Sequence, residues 1–231
     1  MKHEILDRPD YGMARITFEA PGESLVVESG AMVARDAGVS MKTQMSGGLL
    51  SAAKRKLLGG ESLFLNTFTA GAAGDRLYLA PAPEGDMAVM DVRPGEDLIL
   101  QSGAFMAAAP TVTLDTKWAG FRGFLAGEGL FFLKAGGQGE LFVNTYGGLH
   151  TIEMDGQAPM IVDTSHIVGF TGGLTFTIRK IGGMKSLFLS GEGLVCEFTG
   201  RGTLWIQTRN AGSLASFLDP FRIVRSSGGG D

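Results

Sequence analysis

Gly127-Glu128-Gly129-Leu130-Phe131-Phe132-Leu133 decides how this chain is read, because the sequence carries it in three versions. Gly60-Glu61-Ser62-Leu63-Phe64-Leu65 precedes it, and Gly191-Glu192-Gly193-Leu194-Val195 follows it. Each version is followed by a second glycine and a strand-like run. These are Gly74-Asp75-Arg76-Leu77-Tyr78-Leu79, Gly139-Glu140-Leu141-Phe142-Val143 and Gly202-Thr203-Leu204-Trp205-Ile206. Self-similarity at a fixed spacing, here about 65 residues, marks one structural unit present three times.

The residues before each version recur as well. Met13-Ala14-Arg15-Ile16-Thr17-Phe18 alternates polar and apolar and ends in the turn Pro21-Gly22-Glu23. Ser24 to Glu28, Ser29-Gly30-Ala31-Met32 and the alternating run Val39-Ser40-Met41-Lys42-Thr43 follow. In the second unit the order is Met90-Asp91-Val92, Pro94-Gly95-Glu96, Leu98 to Gln101, Ser102-Gly103-Ala104-Phe105 and Val112 to Thr116. In the third it is Ile152-Glu153-Met154, Asp155-Gly156-Gln157, Met160 to Val162, Thr164-Ser165-His166-Ile167 and Leu174 to Ile178. Period-two alternation is the mark of a strand with one buried face. It predicts that Val39 and Met41, Val112 and Leu114, and Leu174 and Phe176 point inward at matched places. After Thr208 the pattern stops, and Ala211 to Leu218 reads as a short helix ended by Pro220.

Composition fits many short strands. Of 231 residues 36 are glycine, without a collagen-like period, and glycine takes positive φ at tight turns without steric penalty. The apolar fraction is 44 % and the charged fraction 19 %. A net charge of −4 weighs against a nucleic-acid partner, which requires a basic face to neutralise phosphates. The single cysteine, Cys196, permits no intrachain disulfide, as expected in a reducing compartment. Met1 to Asp10 reads as no secretory signal, and no apolar run reaches eighteen residues. The expected location is the cytoplasm, peripheral to the inner face of the membrane if a membrane is the partner.

A unit of about sixty residues leaves an apolar face uncovered, and three units packed around an axis would cover it. The expectation is one all-β domain with pseudo-threefold symmetry, a β-prism or double-stranded β-helix. Its units span about 13–88, 89–150 and 151–210, followed by a C-terminal helix at 211–225 and a disordered Ser/Gly tail at 226–231.

The ordered motifs carry a resemblance. Pro21-Gly22-Glu23 with Ser29-Gly30-Ala31-Met32, the Gly-Gly-(Leu/Met) segments with their basic residues, Gly59 to Phe68, and the two later Gly-Glu-Gly-Leu copies are together similar to the altered-inheritance-of-mitochondria 24 family. The resemblance covers about Met13 to Asn210 and rests on motif order and threefold recurrence rather than on any one motif. It implies a triplicated double-stranded β-helix like that of the tryptophan RNA-binding attenuation protein (TRAP-like), and an oligomer. Mitochondrial members are linked to inner-membrane organisation. Without an Arg/Ser-rich leader the chain resembles the bacterial type. The resemblance supplies no catalytic residues.

Chemistry read from the residues is sparse. His3, His150 and His166 lie at no metal-ligand spacing, and Cys196 has no neighbouring partner. Ser165-His166 is no triad, since neighbours on a strand face opposite sides. Gly182-Gly183-Met184-Lys185-Ser186 lacks the glycine a phosphate loop places before its lysine. His166 stands where the other units have a small residue and is expected to fill space. Trp205 lies in an apolar run and reads as core or interface, while Trp118 precedes Gly120 and reads as exposed. Glu61, Glu128 and Glu192 form a candidate ring, which would hold a cation or raise the carboxylate pKa values; turn capping or pairing with nearby cations is the plainer reading. No cofactor is expected. Lys54, Arg55, Lys56, Arg122 and Lys185 stand in glycine-flanked segments beside Leu49, Leu50 and Phe121. Cations among apolar side chains suit an anionic lipid surface or a protein partner. The alternative is that Leu49, Leu50, Leu57 and Leu58 form an ordinary lid. The expected function is therefore a non-enzymatic oligomeric scaffold or membrane-surface adaptor. Alternatives are a small-ligand-binding module with its site at the axis or subunit interface and, by fold analogy, RNA binding.

Overall fold

The structure, a computed structural model, describes residues 1–45, 64–115, 132–180 and 194–222. Their order is β1 (Lys2–Leu6), β2 (Met13–Thr17), β3 (Ser24–Glu28), β4 (Met32–Arg35), β5 (Ser40–Met45), β6 (Phe64–Thr69) and β7 (Arg76–Leu79). Then come β8 (Met87–Val92), β9 (Leu98–Gln101), β10 (Phe105–Ala108), β11 (Val112–Asp115), β12 (Phe132–Gly137) and β13 (Gly139–Asn144). The last are β14 (Leu149–Asp155), β15 (Met160–Asp163), β16 (Ile167–Thr171), β17 (Leu174–Lys180), the long β18 (Leu194–Gln207) and the helix α1 (Ala211–Leu218). The described residues are mostly β-sheet, as the alternation predicts, with one short α-helix near the C-terminus.

The strands form three open sheets. The first is four-stranded, in the order β1-β2-β7-β4; the second is six-stranded, β5-β6-β3-β10-β13-β8. The third runs β11-β12-β9-β16-β18-β14, with β15 and β17 also paired to β18. The second sheet joins strands of the first sequence unit to strands of the second across β3 and β10. The third sheet does the same for the second and third units across β9 and β16. Among the described residues β4 and β15 are edges, and no pairing joins them to close a ring.

The local chemistry of each unit is alike. A short turn at Ser29–Ala31, Ser102–Ala104 or Thr164–His166 precedes β4, β10 and β16, and each of those strands carries a bulge at its second residue. Such a bulge bends the strand and increases its twist, letting it leave one sheet direction for another. Glycine pairs do similar work where β12 passes into β13 and in the middle of β18. Gly137 and Gly139 stand at φ +92° and +141°, and Gly200 and Gly202 at +103° and +158°. A Cβ on Gly137 would lie 2.4 Å from the Thr111 carbonyl oxygen, so the site excludes any side chain.

Three apolar clusters share the interior. The first gathers Ile16, Phe18, Leu25, Phe68, Leu77 and Leu79; the second Leu100, Phe105, Leu141 and Val143; the third Ile99, Phe170, Phe198 and Leu204. Of the expected inward positions, Val39, Val112 and Leu174 are buried, and Leu114 and Phe176 are partly buried against the core. Met41 is the exception, at 49 % exposure. It lies on β5, the outer strand of its sheet, beyond the reach of the first cluster. Trp205 packs against the second cluster, as its apolar run suggests.

Candidate functional site

Three pairs of neighbouring strands frame the segments singled out by the sequence. β5 runs antiparallel to β6 with Met45 opposite Phe64; β11 to β12 with Asp115 opposite Lys134; β17 to β18 with Lys180 opposite Leu194. Residues 46–63, 116–131 and 181–193 lie between these paired strands in the chain. Lys54, Arg55, Lys56, Arg122, Lys185, Leu49, Leu50 and Phe121 all fall in these segments, outside the described residues. So do Glu61, Glu128, Glu192 and Trp118, and the tail at 226–231.

The described residues around the third pair are built for packing rather than reaction. Phe132, Phe170, Phe176 and Phe198 form one cluster, with the Phe170 and Phe198 centroids 5.1 Å apart and edge-on. Such contacts add stability beyond area burial alone. Cys196 is fully buried opposite Val162 and Ile178. Burial, helped by the charge of Asp163, pushes its thiol up to about 12. A thiol held protonated at neutral pH is no nucleophile. Ser165 gives its hydroxyl hydrogen to Asp163, within the turn before β16. No group of three or more metal-binding side chains occurs among the described residues.

His166 does more than fill space. Asn210 caps α1 by accepting a hydrogen bond from the Ser213 amide at 2.7 Å, which turns its amide nitrogen toward His166. That nitrogen donates to His166 Nε2 at 3.0 Å, so the ring proton sits on Nδ1 and is donated to the Gln207 carbonyl at 2.7 Å. The imidazole thus ties the turn before β16 to the start of the helix.

The helix it positions buries nothing. Leu214, Phe217 and Leu218 of α1 recur at three- and four-residue spacing and share one side, and Phe221 continues the spacing in the 3-10 turn Asp219–Phe221 that follows. Their exposures run from 40 % at Leu214 to 72 % at Phe221. The Phe217 and Phe221 rings touch each other, 5.9 Å between centroids. Arg209 and Arg222 bracket this stripe, both exposed. The 3.8 Å Arg222–Asp219 pair is too solvated to restrain its cation strongly. The sequence reading located the helix; the apolar spacing within it is the signal that would have flagged the stripe.

A half-buried ion pair was not legible in the sequence. Asp86 is 4 % exposed and accepts from Arg8 Nε at 2.7 Å and Nη2 at 2.9 Å. Its side chain also takes the Met87 amide, while its backbone amide reaches the Thr145 hydroxyl. Hydrogen bonding to Asp86 raises the Arg8 pKa, and the pair binds the N-terminal segment to the start of β8. Beside it, Tyr11, Gly12 and Ala80 to Gly85 line a depression of about 150 Å³. Small-molecule sites are usually several hundred Å³, so this hollow is water-sized to fragment-sized.

The comparisons with known proteins agree with this architecture. A family profile described as mitochondrial biogenesis AIM24 matches residues 3–209. An uncharacterised protein of Streptococcus pyogenes serotype M6 is 29 % identical over 210 residues, covering 85 % of this chain and 83 % of its own. The crystal structure of a Streptococcus pyogenes protein superposes with a TM-score of 0.77 at 27 % identity, covering 96 % of this chain and 99 % of that one.

Proposed function

The chain belongs to the AIM24 family, and on that premise we propose that it is a non-enzymatic oligomeric scaffold and membrane-surface adaptor. The observation that carries this reading is the exposed apolar stripe of α1, bracketed by Arg209 and Arg222. A helix with one apolar side and flanking cations lies in a headgroup layer with its apolar side down. Fully burying a leucine or phenylalanine is worth ~1.5–3 kcal/mol, and these side chains, 40 % to 72 % exposed, gain only the part still open to water. Each arginine near an anionic surface adds about 1 kcal/mol. Four side chains on eleven residues give weak binding per copy, which several copies would multiply. The three segments with Lys54, Arg55, Lys56, Arg122 and Lys185 are further contact elements of the same surface. The framework holding them is read as three TRAP-like units of a double-stranded β-helix. On this reading the protein works on the cytoplasmic side, peripheral to the membrane.

Co-sedimentation with phosphatidylserine-containing vesicles tests it. The wild type is expected to pellet with anionic vesicles and much less with phosphatidylcholine alone. Phe217→Ser with Phe221→Ser is expected to reduce pelleting at least tenfold, and Lys54, Arg55 and Lys56 changed together to Ser are expected to remove most of its salt dependence. A wild type that stays in the supernatant with both vesicle types sinks the proposal.

A further inference from the structure

We propose that the β15 edge of one copy of this chain pairs with the β4 edge of a second copy, completing a third mixed sheet. Two such sheets already exist inside the chain. In the second sheet, β5-β6-β3 meets β10-β13-β8; in the third, β11-β12-β9 meets β16-β18-β14. Two halves are left over. One is β4-β7-β2, extended by β1; the other is β17-β18-β15. They have the same strand order as the halves that have joined. Set edge to edge, they give β17-β18-β15-β4-β7-β2, the same arrangement a third time.

The register is set by the two joints already formed within the chain. Ala107 faces Val27 and Ala108 faces Val26 across one; Gly169 faces Leu100 and Phe170 faces Ile99 across the other. Counted from Ser29, Ser102 and Thr164, where the turns before β4, β10 and β16 begin, these are equivalent pairs, two residues before the turn against five after its start. The same count assigns Ala34 to Val162, Arg35 to Ile161 and Asp36 to Met160 of the second copy.

Burial shows what the missing neighbour does. Every residue of β10 is buried, as are Ile167 to Phe170 of β16. Every residue of β4 is exposed, Met32 at 41 % and Val33 at 56 %. On the other side, Leu98, Ile99 and Leu100 of β9 are buried, whereas Met160 and Ile161 of β15 are 38 % and 59 % exposed. An apolar strand edge is a template for another chain unless it is blunted. The bulge in β4 does not blunt it, because β10 and β16 carry the same bulge and still pair. A head-to-tail contact of this kind gives rings when its rotation closes and filaments when it does not.

This deepens the oligomeric part of the proposed function and is independent of the membrane part. The test uses the full chain without vesicles. Native mass spectrometry and light scattering are expected to give the wild type as multiples of the 24.3 kDa chain. Val33→Lys and Ile161→Lys, both at exposed edge positions, are each expected to be monomeric with an unchanged melting transition. Mixed one to one, they are expected to form a dimer and nothing larger, because each variant retains the edge the other has lost. As a second readout, Arg35→Cys with Ile161→Cys is expected to cross-link into a ladder on oxidation, while the buried Cys196 does not. A monomeric wild type overturns both this inference and the oligomeric reading. Multimers that survive both lysine variants and fail to cross-link overturn this surface alone. Two monomeric variants that do not recombine overturn the head-to-tail arrangement.

Discussion

β10 and β4 each follow a short turn and carry a bulge at the second residue, yet one is wholly buried and the other wholly exposed. Their own sequences do not account for this: Phe105-Met106-Ala107-Ala108 and Met32-Val33-Ala34-Arg35 are both apolar over three residues or more. The difference is the neighbour. β10 has β3 on its free side, and β4 has none among the described strands. Burial in this fold belongs to the joint between units.

The largest effect that would break this comparison comes from truncating the equivalent first residues. Phe105 is fully buried in the second cluster, and Phe105→Ala is expected to cost about 3–5 kcal/mol. Met32→Ala, measured in the monomeric Ile161→Lys background, is expected to change stability by less than ~0.5 kcal/mol. Urea unfolding of both variants checks the pair. Equal losses would mean that β4 is covered within its own chain.

A middle-sized effect lies in the joint itself. Gly169 faces Leu100, and a methyl there would lie 2.7 Å from both Leu100 Cδ2 and the Ile99 carbonyl oxygen. In the other joint Ala107 faces the smaller Val27, which leaves room for its methyl. Gly169→Ala is expected to destabilise by ~1–3 kcal/mol through overpacking. Ala34→Gly at the open edge is expected to cost only the flexibility of glycine, up to ~1 kcal/mol.

A smaller effect concerns the helix. Asn210→Ala removes both the cap on Ser213 and the donor to His166, and is expected to cost about 1 kcal/mol. Since α1 buries nothing, the loss should appear as faster amide exchange in α1 with the sheet transition unmoved. Coupled loss of both would show that the helix supports the core.

The sequence made the strands with one buried face readable. β3, β11 and α1 fall where alternation and capping place them, because solvent on one side leaves a period in the sequence. β10 and β16 were invisible as strands: buried throughout, they have no alternation to read. β1 was hidden by its charges, since an edge strand needs only one neighbour. β18 looked like two strands, because the Gly200-Arg201-Gly202 bend imitates the break between β12 and β13 while its hydrogen bonding continues. Met41 was misplaced because alternation reports a face without reporting whether anything lies over it. The candidate site was less legible. The basic segments stand out by composition, but the Arg8–Asp86 pair joins residues 78 apart and leaves no local signal.

The smallest effect distinguishes how the open edge and a filled joint hold the same corner. At the end of β4, Asp36 accepts the Arg76 backbone amide at 2.9 Å and the Arg76 guanidinium at 3.0 Å. At the matching place at the end of β16, Thr171 accepts the Thr203 amide at 3.1 Å, using a neutral hydroxyl. The Arg76 contacts hold the Asp36 carboxyl below its ordinary value. A carboxylate whose pKa is lower folded than unfolded contributes stability above the unfolded value, near 4, and loses it as pH falls through the folded value. The contribution is small, because both groups are exposed and salt screens them. Asp36→Asn is therefore expected to melt slightly below the wild type at pH 6, with the gap closing as pH falls through the lowered folded value and shrinking in high salt. Thr171→Ala is expected to leave a gap that does not move with pH. If the Asp36→Asn gap is equally flat from pH 6 to 2.5, the corner at the open edge is held by hydrogen-bond geometry alone, as it is in the filled joint.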